Sequence, residues 1–326
     1  MRKTAPLSIL VVVLAAAVIA EAQQAGKIPR IGVLMSGSRS TAKPRLKAFQ
    51  EGLRELGYVE GKNIVLEYRY AEGRPETLPK RVDELVQLNV DVIVTATSNA
   101  TQAAKKTTTT IPVVFATAND PVGDGHVASL ARPGGNITGL SNLAPELNGK
   151  KLELLKETVS KLTRIAFLVR WGSAIGEHRF KETEIAAKDL GLRLFPLSAK
   201  GNDDLESAFG AAKSADAQAL IVSPSTFAIE HRRRIIELTA KYRLPAIYPS
   251  PLFVEAGGLM SYGPDLINNW RRATIYVDKI LKGTKPAELP IEQPKKFEFV
   301  INLKTAKQIG LTIPPNVLAR VDKVIK

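Results

Sequence analysis

NVDVIVTATSNATQAAKKTTTTIPVVFATAND, residues 89–120, contains the unit on which the whole chain is built. Two short β-branched runs, Val90 to Thr95 and Pro112 to Ala116, flank a stretch of helical period from Ala100 to Lys106. Strand, helix, strand at this spacing is the pattern of parallel strands joined by a crossover helix. Both strands end in small polar residues, Thr97-Ser98-Asn99 and Asn119-Asp120-Pro121.

The same alternation extends in both directions. Upstream, strands are expected at Arg30 to Met35 and Asn63 to Tyr68, with helices from about Ala42 to Leu56 and Glu76 to Leu88. Gly57 is placed to close the first helix as a left-handed cap, and Gly61-Lys62-Asn63 to turn the chain into the next strand. After Ser129 the pattern breaks into ARPGGNITGLSNLAPELNGK, rich in Gly, Pro and Asn, which reads as a crossing between lobes.

A second alternating set follows, beyond a helix from about Asn148 to Val159. Its strands are expected at Arg164 to Val169, Arg193 to Pro196, Ala219 to Val222 and Pro245 to Tyr248, with helices near 177–190, 203–213 and 229–242. PSPLFVEAGGLMSYGPD, residues 249–265, reads as the return crossing, followed by a helix at about Leu266 to Leu281, a strand at Phe297 to Asn302 and a short helix from Thr305. The fold class is therefore α/β, with two doubly wound parallel-sheet lobes joined by a multi-strand hinge. The first lobe is expected to hold 28–143 plus about 256–290, and the second 147–252 plus about 297–326, with ownership of the C-terminal segments open.

Arg2 and Lys3 precede an apolar run from Leu7 to Ala20, and Ala20-Glu21-Ala22 offers small residues for a signal peptidase, so residues 1–22 read as a cleaved secretory signal. A membrane anchor would need about 20 apolar residues, more than this run supplies. Removing the signal leaves about 300 residues, which suits two lobes. There is no cysteine, hence no disulfide, no thiol nucleophile and no cysteine for a lipid anchor. A freely diffusing, non-lipidated periplasmic protein is expected.

The 46 Lys and Arg residues exceed the 32 Asp and Glu, giving +14. These charges are interleaved along helices, and the densest run, Arg232-Arg233-Arg234, falls in an amphipathic helix, so a solvated face is expected rather than a nucleic-acid surface. A basic surface can instead assist peripheral docking to a membrane partner. The three histidines, at 126, 178 and 231, show no metal-ligand spacing, and neither a Gly-x-Ser-x-Gly elbow nor a phosphate loop is present, so no metal, no cofactor and no catalytic residue is expected.

In open parallel sheets, ligands sit beyond the carboxyl ends of the strands, where helix N-termini face the opening. That rule selects Ser36, Thr97, Ser98, Asn119 and Asp120 from the first lobe. From the second it selects Trp171 and Ser225, then Tyr248, with Tyr262 on the return crossing. Hydroxyls at helix starts suit a carboxylate, though Ser and Thr are equally ordinary helix caps. Asp120 either pairs with a ligand ammonium or caps its own loop. Trp171 in a polar turn either covers the flat part of a ligand or packs on a neighbouring loop.

With these residues placed, the chain resembles the ABC-transporter substrate-binding proteins with the type I periplasmic binding fold, in the branch that includes tryptophan-binding members. The resemblance runs from about Pro29 to Ile325. It rests on LGYVEGKNIVLEYRYAEG at 56–73, NDPVGDGHVASLARPGGNITGLS at 119–141 and FVINLKTAKQIGLTIP at 299–314. It implies an exported protein that closes on a small solute and delivers it to an ABC permease and its ATPase. The hydroxyl-rich first wall points to a carboxylate and Trp171, Tyr248 and Tyr262 to a ring, so a monomer that captures an amino acid or aromatic carboxylate is expected. The resemblance places Ser36, Thr97, Ser98 and Asp120 among first-lobe contacts, and Ser225, Tyr248 and Tyr262 among those of the hinge and second lobe. RWGSAIGEH, from 170, replaces the Asn-Pro turn common in that family, which reshapes one wall. The alternative is an extracytoplasmic sensing protein feeding a receptor; a DNA-reading helix-turn-helix ahead of the first strand is absent.

Overall fold

The computed structural model describes residues 27–142, 144–169, 174–199, 201–294 and 297–326. The expected signal at 1–22 lies outside the described residues. No helix among the described residues is long and apolar enough to cross a membrane.

The first half of the chain forms β1 (Arg30–Met35), α1 (Arg39–Glu55), β2 (Val65–Tyr70), α2 (Leu78–Gln87), β3 (Val92–Thr95), α3 (Ser98–Thr107), β4 (Val113–Ala118) and β5 (Ile137–Ser141). These strands make a five-stranded sheet in the order β2-β1-β3-β4-β5, parallel throughout. β3 and β4 are buried along their full length because helices cover both faces, which is why the sequence shows continuous apolar runs there instead of alternation. Gly57 ends the first helix at φ +87°, in the left-handed conformation expected of it.

β5 was not legible as a strand, since its sequence ITGLS lies inside the Gly/Pro/Asn-rich crossing. The tertiary contact explains the composition. Gly139 has φ +148°, and a Cβ there would stand 2.1 Å from the Phe115 carbonyl oxygen of β4. Only glycine lets β5 lie this close.

The second half forms α4 (Ala144–Thr158), β6 (Arg164–Val169), α5 (Ala174–Asp189), β7 (Arg193–Ser198), α6 (Asn202–Ser214), β8 (Ala219–Val222), α7 (Thr226–Glu230), α8 (Arg232–Lys241), β9 (Ala246–Tyr248) and α9 (Pro251–Glu255). Beyond these lie β10 (Met260–Pro264), α10 (Leu266–Leu281), β11 (Phe297–Asn302), α11 (Leu303–Gln308), α12 (Pro315–Leu318) and β12 (Lys323–Ile325). The second sheet has seven strands, β12-β11-β10-β9-β8-β6-β7, and β10 runs antiparallel to β11.

This topology corrects the expected return point. Residues 260–264 are not a connection but β10, paired with β9 and β11 inside the second sheet. The chain returns only after Pro264, when α10 crosses to pack on α1 and β4. Trp270 of α10 is fully buried there, edge-on to Phe49 of α1 at 5.9 Å between ring centroids. Leu289 and Ile291 also join the first-lobe core before β11 goes back to the second. Three segments thus link the lobes, after Ser141, after Pro264 and after Glu292.

Each sheet has an apolar cluster on either face. Those of the first lobe gather around Phe49 and Trp270 on one side and Leu34 and Phe115 on the other. Those of the second centre on Leu155, Phe167 and Phe299, and on Phe209, Tyr248 and Phe253. Folding thus builds two separate cores, as two bodies that rotate about a hinge require.

Candidate functional site

The carboxyl ends of β1, β3 and β4 bring the first-lobe candidates together. Ser36 and Thr97 are adjacent, with their hydroxyl oxygens 2.6 Å apart. Thr97 is also the N-cap of α3 and accepts from the Ala100 amide at 3.2 Å. Ser98 is buried, and its Oγ lies 3.5 Å from the Asn119 amide nitrogen, the outer limit of a hydrogen bond. Asp120 accepts from the Gly123 amide at 2.9 Å through one carboxylate oxygen, which caps its loop, and turns the other toward the second lobe. Both readings of that carboxylate are therefore compatible with its placement.

Among the described residues, three contacts join this wall to the second lobe. The Glu230 carboxylate, at the end of α7, accepts from the Ser38 amide and the Thr41 hydroxyl, each at 2.8 Å, with Ser38 Oγ at 3.4 Å. Ser38 is the N-cap of α1, a helix with no acidic residue in its first turn. The positive end of the α1 dipole therefore receives its anion from the opposite lobe. Beside this contact a cavity of about 460 Å³ opens between Ser40 and Thr41 on one side and Asn202 and Arg232 on the other, so the seam keeps a cationic notch.

Arg179 of α5 makes the second contact. Its Nη1 donates to the Pro224 carbonyl at 2.6 Å, and the Asn119 amide, oriented with its oxygen toward the second lobe, accepts from both terminal nitrogens, 3.2 Å from Nη1. Burial lowers the Arg179 pKa from its ordinary value, against the opposing pull of Asp124 and Glu182. The third contact is His178 Nε2, 3.7 Å from Asp120 Oδ2 across the seam and 3.2 Å from Glu182 Oε1 on its own helix. Among the described residues, Asp120, His178 and Glu182 have ligand atoms within 4.8 Å of one another, spacing that a divalent ion can use. Below this loop Asp124 and His126 form a buried pair at 3.8 Å; burial lowers the His126 pKa, opposed by Asp124.

The second-lobe candidates divide. Ser225 stands at the seam as the N-cap of α7, accepting from the Ala228 amide at 3.1 Å. Tyr262 is half-buried on β10, stacked on Phe297 with centroids 5.9 Å apart. Tyr248 requires a correction. Its side chain is fully buried in the second-lobe core, stacked on Phe253 at 5.0 Å, and its hydroxyl is bonded to that of Thr239 at 2.9 Å. Strand alternation turns it to the face away from Ile247, so ring and hydroxyl are both engaged inside the lobe. Trp171 lies outside the described residues.

Lys151, Arg179 and Glu230 were absent from the sequence candidates, whereas Ser223 is among the strand-end positions the topology rule selects. Lys151 is 2% exposed, on the same α4 face as Asn148, Leu152 and Leu155. A cation at apolar helical spacing is a signal the sequence does contain. Burial pulls its ammonium down to about 8, and the neighbouring Arg179 adds to the effect. Ser223, directly after β8, is 1% exposed with no partner for its Oγ among the described residues. Arg179 and Glu230 carry no such signal; their neighbours come from the opposite lobe.

The geometry is that of two walls, rich in hydroxyls and ions, closed over one another at the strand ends. Comparison with known proteins agrees with it. A family model described as ABC transporter substrate binding protein matches residues 30–325. The tyrosine-binding protein of Clostridioides difficile strain R20291 is 22% identical over 285 residues, which is 87% of this chain and 82% of that protein. Among solved structures, a conserved domain protein from Vibrio cholerae O1 biovar El Tor is 29% identical with TM-score 0.86, over 91% of this chain and 100% of that one. An ABC domain from Streptococcus pneumoniae in complex with L-Trp is 26% identical with TM-score 0.85, over 92% of this chain and 100% of that one. With the match spanning both lobes and all three connections, the chain belongs to the ABC transporter substrate-binding protein family.

Proposed function

We propose that this protein captures a small aromatic carboxylate, an amino acid in the first instance, outside the cytoplasm and presents it to an ABC permease and its ATPase. The observation that carries the reading is the seam itself: the Glu230, Arg179 and His178 contacts all join strand-end loops of the first lobe to helices α5 and α7 of the second. Such contacts exist only when the lobes are closed, and a solute that touches both walls favours closure by its difference in affinity for the two states. No bond need be made or broken for this role. The tyrosine and L-Trp named for two relatives support an aromatic cargo.

Ser36, Thr97, Asp120 and Ser225 are the side chains we assign to the cleft, with Tyr262 at its second-lobe edge. The apolar run near the N-terminus supports export to the periplasm with cleavage after Ala22, and the basic surface supports peripheral docking of a monomer on its membrane partner. Calorimetric titration with L-tryptophan, L-tyrosine, benzoate and glucose tests the cargo. Saturable binding of at least one aromatic carboxylate, accompanied by compaction in X-ray scattering, is expected. Binding of glucose alone would refute the assignment.

A further inference from the structure

Among the described residues, Lys151 is the one buried ammonium whose surroundings supply no counter-charge. It is 2% exposed, and no hydrogen bond or ion pair reaches it from the described residues. The charged group that acts on it is another cation, Arg179, which lowers its pKa further. An ammonium carries three donors and no acceptor, and holding it almost wholly buried beside no counter-charge is unfavourable. Such an environment suits a group that brings several oxygens and a negative charge.

Two further buried polar atoms lack partners there. Asn148, one turn before Lys151 on the same buried face, donates through Nδ2 to Thr183 at 2.7 Å but leaves Oδ1 without a partner. Ser223 continues β8, where Ala219 and Ile221 pack in the same apolar cluster as Leu152 and Leu155 of α4. Alternation puts Ser223 on that face too, at the carboxyl end of the strand, and its Oγ is unpartnered. α4 lies against β8, β9 and β10, and Tyr262 packs on the same cluster. A cation, a hydroxyl, an amide oxygen and a ring thus share one face, at the edge from which Arg179 reaches Asn119 of the opposite lobe.

We propose that Lys151 is the anion anchor of the cleft: its ammonium receives the carboxylate of the cargo, and the Ser223 hydroxyl donates a second hydrogen bond to it. This rests on the reading of the cargo as a carboxylate. The free Asn148 oxygen, which can only accept, suits a ligand N–H beside that carboxylate. The anchor belongs to the second lobe, so a cargo held by Lys151 also bridges to Asp120 in the first lobe and draws the lobes together.

The test compares wild type with Lys151→Met and Lys151→Arg, titrated with L-tryptophan and with tryptamine, which keeps ring and amine but lacks the carboxylate. Lys151→Met is expected to weaken L-tryptophan at least 100-fold while changing tryptamine less than 3-fold, and Lys151→Arg to recover part of the loss. Ligand-free Lys151→Met is expected to melt no lower than wild type, because an unpaired charge has been removed. Unchanged L-tryptophan binding in Lys151→Met overturns the proposal. So does an equal loss for both compounds together with a lowered melting temperature, the mark of a structural lysine. If wild type binds neither compound, nor L-tyrosine, nor benzoate, the aromatic-carboxylate reading fails separately. The anchor is then judged on the ligand-free melting temperature, which supports it by rising in Lys151→Met and overturns it by falling.

Discussion

Replacing Glu230 by alanine is expected to hold the lobes apart. The carboxylate accepts two short hydrogen bonds across the seam, from the Ser38 amide and the Thr41 hydroxyl, each at 2.8 Å, while the 3.4 Å approach of Ser38 Oγ adds little. Hydrogen bonds to a charged group contribute about 1.5–3 kcal/mol each, and the lower end applies at a half-buried seam. The α1 dipole adds about 0.5 kcal/mol. In the open form Glu230 is hydrated and these terms vanish, so the substitution acts on the closed state alone. The sum, a loss of about 3.5 kcal/mol, corresponds to a roughly 400-fold smaller closed fraction. For a protein that is mostly open when empty, apparent affinity falls by the same factor. Because closure follows encounter, the dissociation rate should rise while the association rate stays within a few-fold. Stopped-flow fluorescence with the cognate solute measures both rates, and X-ray scattering at saturation reports the closed fraction. A dissociation constant within 3-fold of wild type, with unchanged dissociation rate, would refute the view of Glu230 as a latch.

Gly37→Ala approaches the same latch from the other side: its Cβ would stand 2.6 Å from Glu230 Oε1 and 2.9 Å from Thr41 Oγ1. Affinity should fall in the wild-type background and change little in the Glu230→Ala background, a coupling that a double-mutant cycle measures. Tyr248→Phe keeps the stack on Phe253 and removes the bond to Thr239, so urea unfolding should show a loss of about 1 kcal/mol with solute affinity unchanged. A large affinity loss would return Tyr248 to the cleft. Stability of the empty protein should also depend on pH through Lys151, whose pKa falls from 10.5 to about 8 on folding. The folded-state value is depressed, so the unfolded chain holds the proton more tightly in that window. The penalty of burying the charge is present in full below pH 8 and is relieved as pH rises toward 10.5, by up to about 3 kcal/mol. Wild type should therefore gain on Lys151→Met across that window in urea titrations at fixed ionic strength.

Some elements were decided by local chemistry and could be read residue by residue. β3 and β4 were visible because a strand covered on both faces must be apolar throughout, and Gly57 because a helix end in the left-handed region favours glycine. The hydroxyls at 36 and 97 and the carboxylate at 120 were selected by a rule of topology, that loops gather where parallel strands end, and the structure places them at those ends, the two hydroxyls side by side. β5 and β10 escaped because each has glycine or proline where neighbouring backbone approaches or the chain turns away, features that locally resemble a loop. Tyr248 was misplaced for a related reason. A strand end alternates between cleft and core, and which way one residue points depends on a register that only the neighbouring strands fix.

The sequence by itself determined two alternating α/β halves, an apolar run ahead of them and the polar residues at the strand ends, because each follows from periodicity and composition within a few residues. Only the tertiary structure decided which half owns β10, that Glu230 caps a helix of the opposite lobe, and that Lys151 stands without a counter-charge. Those facts depend on groups far apart in the chain, Glu230 and Ser38 being separated by 192 positions. Burial and pairing at that range are properties of the packed molecule, set when the lobes close and the water between them leaves.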